Sequence, residues 1–311
     1  MKIISNFSSY SVKNQTIVTI GTFDGVHIGH QKIIKRLVKI AKKEHLKAVV
    51  LTFFPHPRMV LQKDSNIKLI NTIDEKAQLF EKFGIDNLVV KKFTKEFSRL
   101  SAEDFVKQVL VDKLKIQKII IGYDHHFGRN RNANIDDLRT FGNTFNFDVE
   151  EISVQDINDV AVSSTKIREA LIDGDIKTAN SFLGYNFMLS GDIVKGKGLG
   201  KQIGFPTANL FIEETYKLIP KQGVYIVKSH IEDVVVYGMM NIGTNPTAGG
   251  NKESIEVHFF DFNNDLYDQK IQIQILDRIR DEHKFDSLDV LKLQLQKDKQ
   301  TSLNFIASNY A

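Results

Sequence analysis

Residues 21–30, Gly-Thr-Phe-Asp-Gly-Val-His-Ile-Gly-His, combine the residue types that bind and polarise a phosphate chain. The apolar stretch before them, Thr16 to Ile20, reads as a buried strand. The pattern after them, with Ile33, Ile34, Leu37, Val38 and Ala41 on one face, reads as a helix. A strand, a glycine-rich turn and a helix opening therefore follow one another. Gly21, Gly25 and Gly29 allow close approach of backbone to ligand, and the helix N-terminus offers unpaired N–H groups and the positive end of its dipole. His27 and His30, three apart at that opening, can direct two imidazoles at one phosphate chain. Two ordinary loop histidines would read the same way if either stood alone.

Other clusters carry similar chemistry. Val162 to Arg168 hold three hydroxyls, Ser163, Ser164 and Thr165, with the cations Lys166 and Arg168. The segment suits a phosphate, and equally an N-cap followed by surface cations. Gly122-Tyr123-Asp124-His125-His126-Phe127-Gly128 follows another strand pattern, and Pro55-His56-Pro57-Arg58 forms a turn poor in backbone donors. Farther on, Gly196, Gly198, Gly200 and Gly204 permit a loop that wraps a ligand through its amides. Lys201 adds charge to this loop, which lacks the Gly-Lys-Ser/Thr of a Walker A. Thr207 and Asn209 present two oxygens on one side of an extended segment, a donor set suited to magnesium. In Ile255-Glu256-Val257-His258, alternation puts Glu256 and His258 on one face; Glu256 is either a proton acceptor for an alcohol or a solvated strand residue.

The elements that must position these residues change character near Gly184. Before it, strand patterns at Thr16–Ile20, Ala48–Phe54, Asn87–Phe93, Lys118–Tyr123 and Asp148–Ser153 alternate with helix patterns at Ile28–Glu44, Ile73–Phe83, Ala102–Leu114 and Ile135–Phe145. Thr72 with Glu75 has the form of a capping box, and Ser101 is an N-cap. This alternation predicts a Rossmann-like parallel sheet with helical crossovers, whose ligands lie beyond the strand C-termini. Beyond Gly184, strand patterns at 187–195, 223–231, 234–242, 254–262 and 269–279 have no helices between them, which predicts a small antiparallel barrel, followed by a helix from Leu288 to Ile306. Two domains are expected, residues 1–184 and 185–311.

Composition narrows the function. The chain has 311 residues and a formal charge of +4, divided as +6 over residues 1–184 and −2 over the rest. The basic excess suits polyphosphates, but it is interspersed with acidic residues and gives no nucleic-acid-binding block. Cysteine is absent, excluding disulfides and thiolate chemistry. With no signal-like start and no apolar run near the roughly 18 residues that span a bilayer, the expectation is a soluble cytoplasmic protein without a membrane partner. Oligomeric state is left open.

The string from Gly21 to Gln31 resembles the His-x-Gly-His signature of nucleotidyltransferases and, more narrowly, the prokaryotic flavin adenylyltransferases. The segments at Pro55–Pro57, Gly122–Gly128 and Ser163–Arg168 resemble further elements of the same enzymes. Gly196 to Asn209 with its Phe-Pro-Thr-Ala-Asn end, Asn241-Ile242-Gly243-Thr244-Asn245-Pro246-Thr247 read as a loop, Ile255–His258 and Arg278–Leu288 resemble riboflavin kinases. The resemblance covers nearly the whole chain. It implies a bifunctional enzyme that makes FMN from riboflavin and FAD from FMN, using ATP each time and magnesium as cofactor. It further implies that His27, His30 and Arg168 supply positive charge to departing pyrophosphate, while Glu256 is the kinase base. Gly21, Phe23, Asp24, Gly25, Gly122, Asp124, Ser164, Thr165, Gly198, Gly200 and Lys201 would bind nucleotide, Pro55, His56, Phe127 and Arg280 flavin, and Thr207 and Asn209 the metal.

Overall fold

A computed structural model of the chain describes residues 1–5, 14–62, 66–122, 125–153, 162–196, 198–247 and 250–310. Two compact units divide the chain, Met1–Ser163 and Ser164–Ala311. In the first, strands β1 (Lys2–Ile4), β2 (Thr16–Ile20), β3 (Lys47–Phe54), β4 (Asn87–Lys92), β5 (Ile116–Gly122) and β6 (Asp148–Ile152) form one sheet in the order β1-β4-β3-β2-β5-β6. Every pairing is parallel. Each residue of the central β2 is buried, as a strand covered on both faces requires. Helix α1 (Ile28–Glu44) packs on β2, β3 and β5, and α3 (Ile73–Phe83) packs on α1. Between them lies the short α2 (Pro57–Leu61). The face carrying Val18, Ile20, Val49 and Leu51 meets Phe105, Val109 and Leu110 and the buried Leu138 of α5 (Ile135–Phe145).

Local chemistry fixes the helix ends as read from sequence. Thr72 Oγ1 accepts from the Glu75 amide at 3.2 Å while Glu75 Oε2 accepts from the Thr72 amide at 3.0 Å, a reciprocal capping box. Ser101 caps α4 (Ala102–Phe105) by accepting from the Asp104 amide at 3.0 Å. The expected helix through Leu114 instead continues from α4 as a π-helical stretch, Val106–Val111. Its wider turn sets Val106, Val109 and Leu110 into the core together.

The second unit opens with two helices, α6 (Ser164–Asp173) and α7 (Ile176–Leu183). They pack with the barrel: Asn180 Nδ2 donates to Ile275 O at 3.0 Å and its Oδ1 accepts from the Phe187 amide at 2.7 Å. The packing boundary, after Ser163, thus precedes the compositional one, after Gly184, because a helix pair carries no mark in sequence of which sheet it will cover. The barrel closes in the order β10-β11-β8-β7-β12-β9 from β7 (Met188–Val194), β8 (Ala208–Phe211), β9 (Gly223–Ile231), β10 (Val234–Thr247), β11 (Gly250–Phe259) and β12 (Lys270–Arg280), all antiparallel. The short α8 (Leu199–Gln202) precedes β8. Residues 241–247, expected as a loop, are the end of β10, paired with β11 out to Thr247 and Gly250.

The C-terminal helix α9 (Leu288–Tyr310) covers one side of the barrel through Leu295 and Ile306, which meet Phe205, Met239 and Phe260. Arg280 anchors it. Its Nη2 donates to Asp298 Oδ2 at 2.6 Å, its Nε to Asp298 Oδ1 at 3.0 Å, and its Nη1 to Asp281 O at 3.0 Å. Asp298 is 1 % exposed, so its carboxylate needs a cation. Arg280 thus ties α9 to the barrel, with each guanidinium nitrogen engaged inside the unit. Asp298→Ala strands that guanidinium, and it should destabilise the second unit by about 3 kcal/mol in urea unfolding, the scale for breaking a buried pair. A loss below about 1 kcal/mol, the worth of a surface pair, would show that apolar packing alone holds α9.

Candidate active sites

Between β2 and α1 the chain turns in seven residues, and two of them, Phe23 (φ 46°) and Val26 (φ 36°), have left-handed backbone. For a β-branched residue this conformation is costly. Burial and bonding offset it. Phe23 and Val26 are 2 % and 0 % exposed, Val26 N donates to Phe23 O at 3.1 Å, and Gln31 Nε2 donates to Val26 O at 2.9 Å. Asp24, also buried, accepts the Ile70 amide at 2.9 Å, and Gly21 N donates to Leu51 O at 3.1 Å. Gly25 supplies a left-handed turn position (φ 85°).

The turn delivers His27 as the N-cap of α1, with its Nδ1 accepting from the His30 amide at 3.4 Å. An Nδ1 that accepts carries no proton, so the proton of the neutral ring lies on Nε2. The two imidazoles stack with centroids 3.7 Å apart, and the Phe23 ring meets His30 edge-on at 5.1 Å. Burial lowers the His27 pKa to about 4, against the pull of Asp24. Burial, His27 and Lys76 together push that of His30 well below its ordinary range. The ring of His30 keeps part of its surface accessible while its Nδ1 is enclosed without a hydrogen-bond partner. Burial and stacking favour the neutral form of both rings in the ligand-free chain, against the positive charge expected of them.

Sequence reasoning missed what lies beneath. Lys76 of α3, 1 % exposed, donates through Nζ to Thr22 O at 3.0 Å, and Thr52 Oγ1 donates to the same carbonyl at 3.3 Å. The signal was present: Lys76 shares the buried stripe of α3 with Ala77 and Phe80, where a lysine breaks the apolar pattern.

The other residues expected in the first unit lie at strand ends. Pro55 and His56 follow β3, with the Phe54–Pro55 peptide cis and His56 capping α2 through Nδ1, which accepts the Arg58 amide at 3.2 Å. Gly122 ends β5, and Asp124 lies outside the described residues. Phe127 is buried and exchanges backbone hydrogen bonds with Ala133. A concavity of about 800 Å³ runs along β6 by Lys118, Arg139 and Glu151, but Glu44 pairs with Lys118, while Asp136 and Glu151 pair with Arg139. It is no anion site.

In the second unit Ser164, Thr165 and Arg168 fall within α6 itself rather than before it, Thr165 exposed and Arg168 half-buried. Gly198 (φ 71°) and Gly200 belong to a tight turn closed by Phe205 N donating to Gly200 O at 2.8 Å, and Lys201 is exposed on it. The chain then runs along β11. His258 Nδ1 donates to Pro206 O at 2.8 Å and its ring meets Phe205 at 5.2 Å, so His258 seats the Phe-Pro-Thr segment. Thr207 Oγ1 donates to Glu256 Oε2 at 3.2 Å, and Asn209 pairs in register with Glu256. Two segments distant in sequence thus form one oxygen-rich cluster on adjacent strands of the barrel. Among the described residues no group of three or more His, Asp or Glu forms a metal cluster.

A parallel-sheet unit whose strand-to-helix turn bears two stacked histidines, followed by a barrel bearing a carboxylate beside a Thr-x-Asn pair, is an architecture suited to phosphate transfer at two sites. The FAD synthetase family profile matches residues 9–166 and the riboflavin kinase profile residues 183–306. Bifunctional riboflavin kinase/FMN adenylyltransferases from Buchnera aphidicola (subsp. Schizaphis graminum) and Listeria monocytogenes are 39 % and 37 % identical to it, over 96 % and 94 % of this chain and 96 % and 92 % of theirs. A crystal structure described as a macrolide-efflux protein from Streptococcus pneumoniae has the same fold, with a TM-score of 0.86 and 32 % identity over 99 % of both chains. The chain belongs to the bifunctional riboflavin kinase/FMN adenylyltransferase family.

The depressed pKa of His27 couples stability to pH. Its folded value of about 4 lies below the ordinary 6.5, so between these values the unfolded chain binds more protons. The first unit should therefore hold its full stability above about 6.5 and lose it as pH falls toward 4; His30 acts in the same direction. His27→Asn, which keeps a capping acceptor, should flatten this dependence. Urea midpoints at pH 7 and pH 5 test it, and equal differences for the two proteins would refute the coupling.

Proposed function

We propose that this chain phosphorylates riboflavin to FMN with one ATP and adenylylates FMN to FAD with a second, releasing pyrophosphate. The observation that carries the reading is the Thr207–Glu256 contact, with Asn209 in register, in a chain that also bears the stacked histidines at a helix opening. We assign FMN adenylyltransfer to residues 1–184 and riboflavin phosphorylation to 185–311, with α6 and α7 carried by the second compact unit.

In the kinase reaction the riboflavin 5′-hydroxyl attacks the γ-phosphate, and Glu256 accepts its proton as ADP leaves. Thr207 and Asn209 fit a magnesium ion: both are hard neutral oxygen donors, and a threonine hydroxyl that gives its hydrogen to Glu256 keeps lone pairs for a cation. When bound with ATP, the ion supplies charge to the phosphate oxygens. In the adenylyltransfer the FMN phosphate, already ionised, attacks the α-phosphorus of ATP and needs no general base. His27 and His30 donate Nε2–H to the departing pyrophosphate, helped by amides of the turn. Ser164, Thr165 and Arg168 are assigned to the ATP phosphates, Gly21, Phe23, Asp24 and Gly25 to the nucleotide, and Pro55, His56 and Phe127 to the flavin; Gly198, Gly200 and Lys201 are assigned to the kinase nucleotide. The absence of cysteine suits the cytoplasm, where we place both reactions. Among the described residues no helix is long and apolar enough to cross a membrane, and the efflux named for the pneumococcal structure is not carried over.

Incubation with riboflavin and Mg-ATP, with FMN and FAD separated chromatographically, tests the reading directly. His30→Ala should cut FAD formation about 10²-fold or more, the scale of losing a preorganised donor, and leave FMN formation intact. Glu256→Gln should do the reverse, slowing FMN formation roughly 10² to 10⁴-fold while FAD forms normally from supplied FMN. Loss of both activities in either folded variant would refute two separate sites.

A further inference from the structure

A lysine ammonium taken out of water requires partners. Lys76 has Thr22 O at 3.0 Å, and the Asp24 carboxylate favours its charged form against the burial that disfavours it. Asp24 is itself 1 % exposed and bound to the Ile70 amide. The segment Thr22–Asp24 is therefore gripped from three sides: by Thr52 of β3, by Ile70 ahead of α3, and by Lys76 on α3. It contains the left-handed Phe23, and directly after it come the left-handed Val26, the capping His27 and the stacked His30.

The titratable groups that act on His30 are His27 of its own turn and Lys76 of α3, with Asp24 acting on both of those. Glu75, beside Lys76, accepts from the Thr72 amide. Of the strands that pack on α1, β2 carries no titratable residue, Lys47 of β3 pairs with Asp86, and Lys118 of β5 pairs with Glu44 at the far end of the helix.

Resting on the adenylyltransferase reading above, we propose that Lys76 is a positioning residue for FAD formation: its buried ammonium fixes the Thr22–Asp24 segment, and through it the paired rings of His27 and His30. The side chain lies behind the phosphate turn and acts through the groups that line it.

The test uses the full chain, with FAD formation from FMN and Mg-ATP as readout and FMN formation from riboflavin as the control in the same preparation. Lys76→Met keeps the volume and removes the charge. It should lower kcat for FAD formation about 10²-fold, comparable to misplacing a preorganised donor, with KM for FMN within about twofold and FMN formation unchanged. Removing the ammonium also releases one of the forces that hold His30 below 6.5, so the acid limb of the FAD-forming rate should move to higher pH. Lys76→Arg, which retains the charge, should keep the wild-type limb even if its rate is lower. Lys76→Gln replaces the methionine variant if that one does not fold. A merely structural lysine would leave kcat for FAD formation unchanged in a folded variant, so a wild-type rate in the uncharged variant, or an unmoved limb, overturns the proposal. Failure of the wild-type chain to form FAD overturns the functional reading, and this inference with it.

Discussion

The first unit depends on how the chain leaves β2. A parallel sheet delivers its ligand site at the strand C-termini, where the backbone must turn into a helix while keeping amides free for an anion. Here the turn takes left-handed backbone at Phe23 and Val26, which no local preference favours. It persists because Phe23, Asp24 and Val26 are all buried and because three separate elements hold the carbonyl and carboxylate between them. The position of both histidines is inherited from that arrangement.

The barrel solves a different problem with the same economy. Glu256 and Asn209 sit side by side because β8 and β11 are adjacent in register, and Thr207 joins them because His258 holds Pro206 one step earlier. No long-range loop is required. Closing the sheet on itself fixes the cluster as rigidly as the barrel wall.

Much of this was legible in sequence, and the gaps have physical causes. The spans of α1, α3 and α5 and of β2 and β9 agree with their periodicity to the residue, since each has a clean apolar stripe or run and several have cap residues at their ends. Strand β1, three residues long, is too short to show a pattern, and α2 and α8 are single turns whose glycines and prolines read as loop. Strand β10 overruns its expected end because pairing with β11 carries it past Gly243 to Thr247, a tertiary effect that local composition cannot announce. The histidines stand out by type and spacing, but the surroundings that disfavour their charge do not, for those depend on burial, on the ring stack and on Lys76, 46 residues away from His30. The ion pair of Arg280 was hidden for a related reason: its partner Asp298 lies on a helix whose polarity alone does not reveal that the carboxylate is buried.

The use of His27 Nδ1 as a helix cap means that a proton and the helix compete for one lone pair. Protonation at that atom gives up the cap bond to the His30 amide. The anion site proposed here, assembled from neutral N–H donors, is also cheap to keep empty. Exposed cations would repel one another until a ligand arrived, or collapse onto the nearest carboxylate and have to be pried loose. On the proposed reading, rings that carry no charge wait in place, and the polyphosphate finds its donors already aimed.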